Sequence, residues 1–182
     1  MKLTSFWTDD NPQPSTLPVA ENLPAEVDVA VIGGGYAGLS AARTLARSGA
    51  SVAVLERETI GWGASSRNGG ITGCGLKAAA PAIFRRYGEA YGRRFWQASL
   101  DALHLIRQLV EEEGIACDFH PHGDLCVAFK PSHFEGFRER AAWHKKHLGH
   151  ALQLIPPADL RQAIGSDAYF GGVVDPHGAS LH

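Results

Sequence analysis

The stretch GGGYAG at residues 33–38 has the residue types and spacing of a phosphate-binding turn. Gly33, Gly35 and Gly38 fall in the pattern G-x-G-x-x-G. The first glycine permits a tight turn, the second lets a diphosphate approach the backbone, and the third allows a helix to pack closely on a strand. Tyr36 and Ala37 lie between them and offer backbone amides. A helix opening here would present unpaired N–H groups and a partial positive charge to the phosphates. Glu56 follows Gly38 at close to the spacing of about 20 residues seen in dinucleotide sites. Its carboxylate can accept hydrogen bonds from a ribose diol and would repel a 2′-phosphate, which disfavours an NADP-type ligand. The competing reading is a glycine-rich turn in some other α/β unit.

The flanking residues supply the elements that such a turn requires. Val27, Val29, Val31 and Ile32 form a short β-branched run, suited to a buried parallel strand. A helical pattern follows over residues 36–48 and stops at Gly49, a good left-handed cap. Ala42, one turn after Gly38, keeps the helix–strand contact small. A second strand over residues 51–55 delivers Glu56 at its end. Strand, turn, helix, strand and acid therefore agree with one another, which a bare glycine pattern would not require.

A second stretch with chemical potential is RETIGWGASSRNGGITGCG, residues 57–75. Long glycine-rich loops inside a compact domain are usually functional. Ser65, Ser66, Arg67 and Asn68 supply donors, and Gly69 and Gly70 allow close backbone approach. The plainer alternative is a solvated surface loop.

Residues 28–56 followed by GWGASSRNGG at residues 61–70 resemble the FAD-dependent amine and amino-acid oxidoreductases of the D-amino-acid oxidase superfamily. The likeness is greatest to its gamma-glutamylputrescine oxidoreductase branch. It continues more loosely through GDLCVAF at residues 123–129 and YFGGVVDPHGASLH at residues 169–182. The resemblance implies an α/β fold: a Rossmann-like FAD-binding βαβ unit, then the beginning of a mixed α+β substrate domain. The expected division is an extended arm over residues 1–26, a cofactor domain over 27–118 and a substrate domain from 119 to 182. The implied cofactor is FAD. Gly33, Gly35, Tyr36, Ala37 and Gly38 would cradle its pyrophosphate. Glu56 would hold the ribose with Arg57 beside it, and residues Ser65, Ser66, Arg67, Asn68, Gly69 and Gly70 would approach the pyrophosphate, ribityl chain or flavin ring.

The implied reaction oxidises the C–N bond of a small amine or amino acid. Hydride passes to the flavin, the imine hydrolyses, and oxygen reoxidises the flavin to give hydrogen peroxide. No residue here is assigned as catalytic acid, base or substrate clamp. Family members are considerably longer, so the expectation is a truncated N-terminal portion, or half of a split protein with a C-terminal partner chain. Two alternatives stand beside the enzyme: a non-catalytic fragment that binds FAD or another nucleotide, and an NAD-dependent dehydrogenase. The loop at residues 61–70 favours flavin over nicotinamide.

Composition sets the remaining bounds. The chain has 182 residues, a net charge of −2 and no large basic block, which argues against a nucleic-acid partner. No apolar run approaches a membrane span and no signal peptide is visible, so the expected location is the cytoplasm. Cys74, Cys117 and Cys126 share no C-x-x-C spacing and read as buried free thiols. Phe6 and Trp7 are expected to anchor the arm. Helices are predicted over residues 81–91, 93–113 and 132–148, the last opened by a Ser132/Glu135 capping box, and over 157–164. Strands are predicted over residues 123–129, 152–155 and 169–174. His144, His147 and His150 recur every three residues, but Lys145 and Lys146 intervene and no Cys, Asp or Glu completes a ligand set at familiar spacing. They read as a solvated basic face, with no metal expected.

Overall fold

The computed structural model describes residues 4–10, 12 and 22–182. Two compact units divide the chain, Met1–Gly69 and Gly70–His182. The boundary falls inside the glycine-rich loop.

The first unit contains α1 (Phe6–Asp10), β1 (Val29–Ile32), α2 (Tyr36–Arg47) and β2 (Val52–Leu55). The two strands are parallel, in register from Val29↔Val52 to Ile32↔Leu55. A hydrogen-bonded clamp closes their leading ends. Asp28 Oδ2 accepts the Ser51 N–H at 2.8 Å and the Ser51 hydroxyl at 2.7 Å, and Ser51 Oγ accepts the Asp28 N–H at 2.9 Å. These bonds to Ser51 hold the Asp28 carboxyl below its ordinary pKa. Gly49, with φ +92°, turns the chain out of α2. In the arm, Phe6–Asp10 is one turn of helix where extended backbone was expected, because the Ser5 hydroxyl accepts the Thr8 N–H at 3.3 Å and opens a helical turn. Trp7 Nε1–H donates to the Asn68 carbonyl at 2.7 Å, which is the anchoring expected of that residue. The rest of the arm, residues 1–3, 11 and 13–21, lies outside the described residues.

The second unit contains β3 (Ile71–Thr72), α3 (Ala80–Glu113), β4 (Asp124–Val127), α4 (Pro131–Leu148), β5 (Gln153–Ile155), α5 (Pro157–Ile164), β6 (Gly172–Asp175) and β7 (Ala179–Ser180). β6 lies between β4 and β5, antiparallel to both, and β3 pairs antiparallel with β7. Val173 on β6 and Ala128 after β4 are wholly buried, with Leu160 of α5 and Phe134 of α4 against the same core. Gly171 is required there: its φ is +100°, and a Cβ would lie 2.6 Å from the Phe134 ring.

Three sequence expectations change. The helices predicted over 81–91 and 93–113 form one element, interrupted at Gly88 (φ 79°, ψ 165°) rather than near Gly92. Gly92 stays helical and buried because the Phe84 ring lies where its Cβ would be, 2.3 Å from Cδ2. The Ser132/Glu135 capping box does not form. Pro131, with φ fixed by its ring, occupies the first helical turn behind Lys130, and Glu135 pairs with Arg138 at 3.5 Å instead. Cys126 is exposed and Cys74 half-buried, whereas Cys117 is buried as expected. Among the described residues no helix is long and apolar enough to cross a membrane.

Candidate functional site

The glycine turn of the first unit is built from three close approaches. Gly33 has φ +103°, and its N–H donates to the Leu55 carbonyl at 2.8 Å, which ties the turn to the end of β2. At Gly38 a Cβ would lie 2.0 Å from the Gly33 carbonyl oxygen, so the first turn of α2 rests directly on the loop. At Gly35 a Cβ would come within 2.9 Å of Ser65 Oγ. Gly35 caps α2 in extended conformation without a side-chain cap, and no acidic residue occupies the first helical turn. The positive end of α2 is therefore not neutralised by its own side chains.

Glu56 turns toward this loop. Its Oε2 accepts the Gly34 N–H at 2.7 Å and its Oε1 accepts the Glu58 N–H at 3.0 Å. The bond from Glu58 and then the bond from Gly34 lower its pKa, so the carboxylate is ionised at neutral pH. Ser65 Oγ accepts the Tyr36 N–H at 3.0 Å and keeps its own proton to donate. Two amides of the turn are thus held by a carboxylate and a hydroxyl.

The loop after β2 is braced from within. The Arg67 guanidinium lies 4.3 Å above the Trp62 ring, and its Nη1 donates to the Gly63 carbonyl at 3.2 Å. Asn68 Nδ2 donates to the carbonyls of Ala64 at 3.2 Å and Ser65 at 3.0 Å. These bonds shape the 3-10 turn Ala64–Ser66, which presents Ser65 to Tyr36. Ser66 donates its N–H to the Gly63 carbonyl at 3.4 Å. Arg57 is exposed and pairs with Glu58 at 3.1 Å. A Cβ at Gly69 would meet open space. In the second unit Gly70 has φ +66°, and its carbonyl accepts the Leu181 N–H at 2.8 Å. The structure therefore gathers Gly33, Gly34, Gly35, Tyr36, Gly38, Glu56 and Ser65, while Arg67 and Asn68 act on the loop itself.

This turn fits the diphosphate and ribose of FAD. It has a helix start with no acidic residue in its first turn, a hydroxyl donor, a carboxylate at the end of β2, and three glycines, Gly34, Gly35 and Gly38, whose Cβ positions are taken by neighbouring atoms.

The second unit holds a cluster that local spacing did not reveal. The Cys74 thiol donates to Asp175 Oδ2 at 3.1 Å. His150 Nε2 lies 3.0 Å from the same oxygen and 3.8 Å from the sulfur. Asp175 Oδ1 accepts the His177 N–H at 3.0 Å. His150 and His144 are 5% and 8% exposed, which overturns the solvated basic face expected for them. The cause is geometric. His144 points inward, its ring 5.1 Å edge-on from Trp96, and Gly149 (φ 67°) reverses the chain so that His150 returns into the same core. His147 stacks on Trp143 at 4.6 Å.

Burial, followed by the hydrogen bond to Asp175, pushes the Cys74 thiol up to about 12. Burial acts to raise Asp175, but hydrogen bonds from His150 and Cys74 outweigh it and hold the carboxyl well below its usual range. Burial, then the charges of Arg140 and His150, lower His144.

A profile described as DAO, FAD dependent oxidoreductase, matches residues 28–182. The chain is 32% identical over 179 residues to "Probable oxidoreductase OrdL" of Haemophilus influenzae, covering 98% of this chain and 41% of that protein. It is 34% identical over 155 residues to the gamma-glutamylputrescine oxidoreductase of Escherichia coli, covering 85% of this chain and 36% of that protein. Its fold is similar to that of glycine oxidase from Geobacillus kaustophilus, with a TM-score of 0.66 at 23% identity over 85% of this chain and 40% of that one. The chain thus spans about two fifths of the length of these relatives.

Proposed function

We infer the function from one premise: this chain belongs to the FAD dependent oxidoreductase family, DAO. We propose that it is the cofactor-binding portion of an FAD-dependent oxidoreductase that oxidises the C–N bond of an amine or amino acid. The observation that carries the reading is the junction of Gly34 and Glu56, where an ionised carboxylate from the end of β2 meets the glycine turn that opens α2.

The residues divide the work of binding. Gly35, Ala37 and Gly38 offer backbone amides to the pyrophosphate, with the dipole of α2 behind them, while Gly33 and Tyr36, whose N–H groups are held by the Leu55 carbonyl and Ser65 Oγ, shape the turn around it. Ser65 donates its hydroxyl proton to a phosphate oxygen while still accepting from Tyr36. Glu56 accepts from the ribose diol, and its negative charge disfavours a phosphorylated ribose. Arg67, Asn68 and Trp7 hold the loop that carries Ser65, and Ser66, Gly69 and Gly70 give the ligand a low-relief approach. Arg57 is assigned to the margin of the ribose site. In this reading residues 27–118 serve the cofactor, residues 119–182 begin the substrate side, and the protein works in the cytoplasm. Held by these residues, FAD would supply the acceptor for a hydride equivalent from the carbon beside the substrate nitrogen, leaving an imine to hydrolyse.

The test is the visible absorption of the purified chain, before and after titration with FAD. Bound flavin is expected, and Glu56→Ala is expected to weaken it by about tenfold or more, through the loss of a charge-assisted hydrogen bond. Unchanged flavin retention in that variant would refute the ribose role. A second reading, nucleotide binding without catalysis unless a further chain completes the fold, is favoured by the two-stranded sheet. Ile32 at the end of β1 is 88% exposed. Peroxide release over a panel of polyamines and amino acids separates the two.

A further inference from the structure

We propose that Cys74, His150 and Asp175 form a binding site for a zinc-like divalent cation, held entirely within the second unit. Their ligand atoms all lie within 4.8 Å of one another. In a tetrahedral zinc site, with Zn–S of about 2.3 Å and Zn–N or Zn–O of about 2.0 Å, sulfur lies about 3.5 Å from nitrogen and oxygen, which are about 3.3 Å apart. The observed separations are 3.8, 3.1 and 3.0 Å. Each is within about 0.4 Å of the tetrahedral value, so side-chain adjustments suffice.

The surroundings suit an ion better than a reactive thiol. Asp175 Oδ1 is anchored by the His177 N–H, with the His177 ring nitrogen 3.5 Å away, so Oδ2 is left to face Cys74 and His150. That is how an outer hydrogen bond orients a metal-ligating carboxylate. A thiol beside an ionised carboxylate is a poor nucleophile, because its proton is held. A divalent cation reverses this. It displaces the thiol proton to solvent, forms the metal–sulfur bond, and takes the Nε2 lone pair of the His150 tautomer that carries its proton on Nδ1, with no change of oxidation state. Thiolate, carboxylate, neutral imidazole and M²⁺ then sum to zero net charge. The mixed soft and borderline ligand set selects zinc or cobalt over magnesium or calcium.

The fourth position faces a cavity of about 590 Å³, lined by Cys74 and Asp175 and also by Trp96, Arg140 and His144. Arg140 is the one cation among these five and opposes the ion, but thiolate and carboxylate together outweigh it. His144 Nδ1, buried and without a hydrogen-bond partner, lies on the same wall and offers an acceptor for a metal-bound water.

The test uses the purified chain without added flavin, so its outcome is independent of the flavin reading. After equilibration with zinc chloride and dialysis, one zinc per chain is expected. Cobalt(II) should give a thiolate-to-cobalt charge-transfer band. Cys74→Ser and His150→Gln should each weaken zinc binding at least about tenfold while the circular dichroism spectrum is retained. A His120→Ala/His122→Ala variant, which removes the exposed stacked histidine pair, should leave binding unchanged. Absence of stoichiometric zinc, absence of the cobalt band in the unaltered chain, or uptake that survives both ligand substitutions would overturn the site. The band in the unaltered chain decides the matter even where a variant fails to fold.

Discussion

Gly38→Ala is the most direct probe of the turn, because the expected cost follows from one distance. The added methyl carbon would sit 2.0 Å from the Gly33 carbonyl oxygen and 3.3 Å from Val31 Cγ1. Real Cβ contacts essentially never fall below 3.0 Å, so helix and loop must separate by about 1 Å. The closest clash is with backbone, the Gly33 carbonyl, and no rotamer change relieves it. Overpacking of this kind costs typically about 1–3 kcal/mol, and the closeness here places it at the upper end. The gain in helix propensity, about 1 kcal/mol, works the other way. The net expectation is a loss of about 2 kcal/mol, which at a urea slope of about 1–3 kcal/mol/M moves the midpoint down by roughly 1 M. Urea unfolding followed by far-UV circular dichroism compares the variant with the unaltered chain. A Gly38→Ala midpoint equal to or above that of the unaltered chain would refute the claim that the first turn of α2 rests on Gly33.

Gly35→Ala should behave differently, because its Cβ meets only the Ser65 hydroxyl at 2.9 Å and that side chain can rotate away. Stability is expected to change by less than about 1 kcal/mol while FAD affinity falls, measured by flavin titration and thermal melts together. Stability at extreme pH should report the Cys74–Asp175 pair. Asp175 is depressed in the fold, so its contribution is present above the ordinary value of 3.8 and is lost as pH falls through the folded value. Cys74 is raised, so above pH 9.0 the unfolded chain loses its thiol proton first, and stability declines until about 12. Cys74→Ala should flatten the alkaline limb of a stability–pH curve without added metal. An alkaline limb unchanged in that variant would show that other groups produce it.

The fold was legible wherever the chain's own local chemistry decides it. β1 and β2 announce themselves as β-branched runs, α2 is bounded by Gly35 and Gly49, and α5 begins at Pro157 and ends before Gly165. The errors lie where a neighbour distant in sequence, or a stiffer residue close by, overrode a plausible pattern. Gly92 looked like a helix break, but the Phe84 ring needs the space that a missing Cβ leaves. Ser132 and Glu135 had capping spacing, but Pro131 had already started the helix. Histidines spaced by three beside two lysines looked like a wet face, yet His144 points at Trp96 and His150 at Asp175.

Spacing along the chain alone therefore established the glycine turn, its strand and helix, and the acid at the end of β2, because a βαβ unit is a short-range object whose parts follow one another. It also marked residues 61–70 as more than a linker. Tertiary structure alone decided that Glu56 bends back onto the Gly34 amide and that Ser65 seats on Tyr36. It alone brought Cys74 to Asp175 across 101 positions and to His150 across 76. Sequence periodicity records which face of an element is apolar; it carries no record of which polar groups from remote elements will share one buried volume, and only the packing of β6 and the residues after α4 determines that.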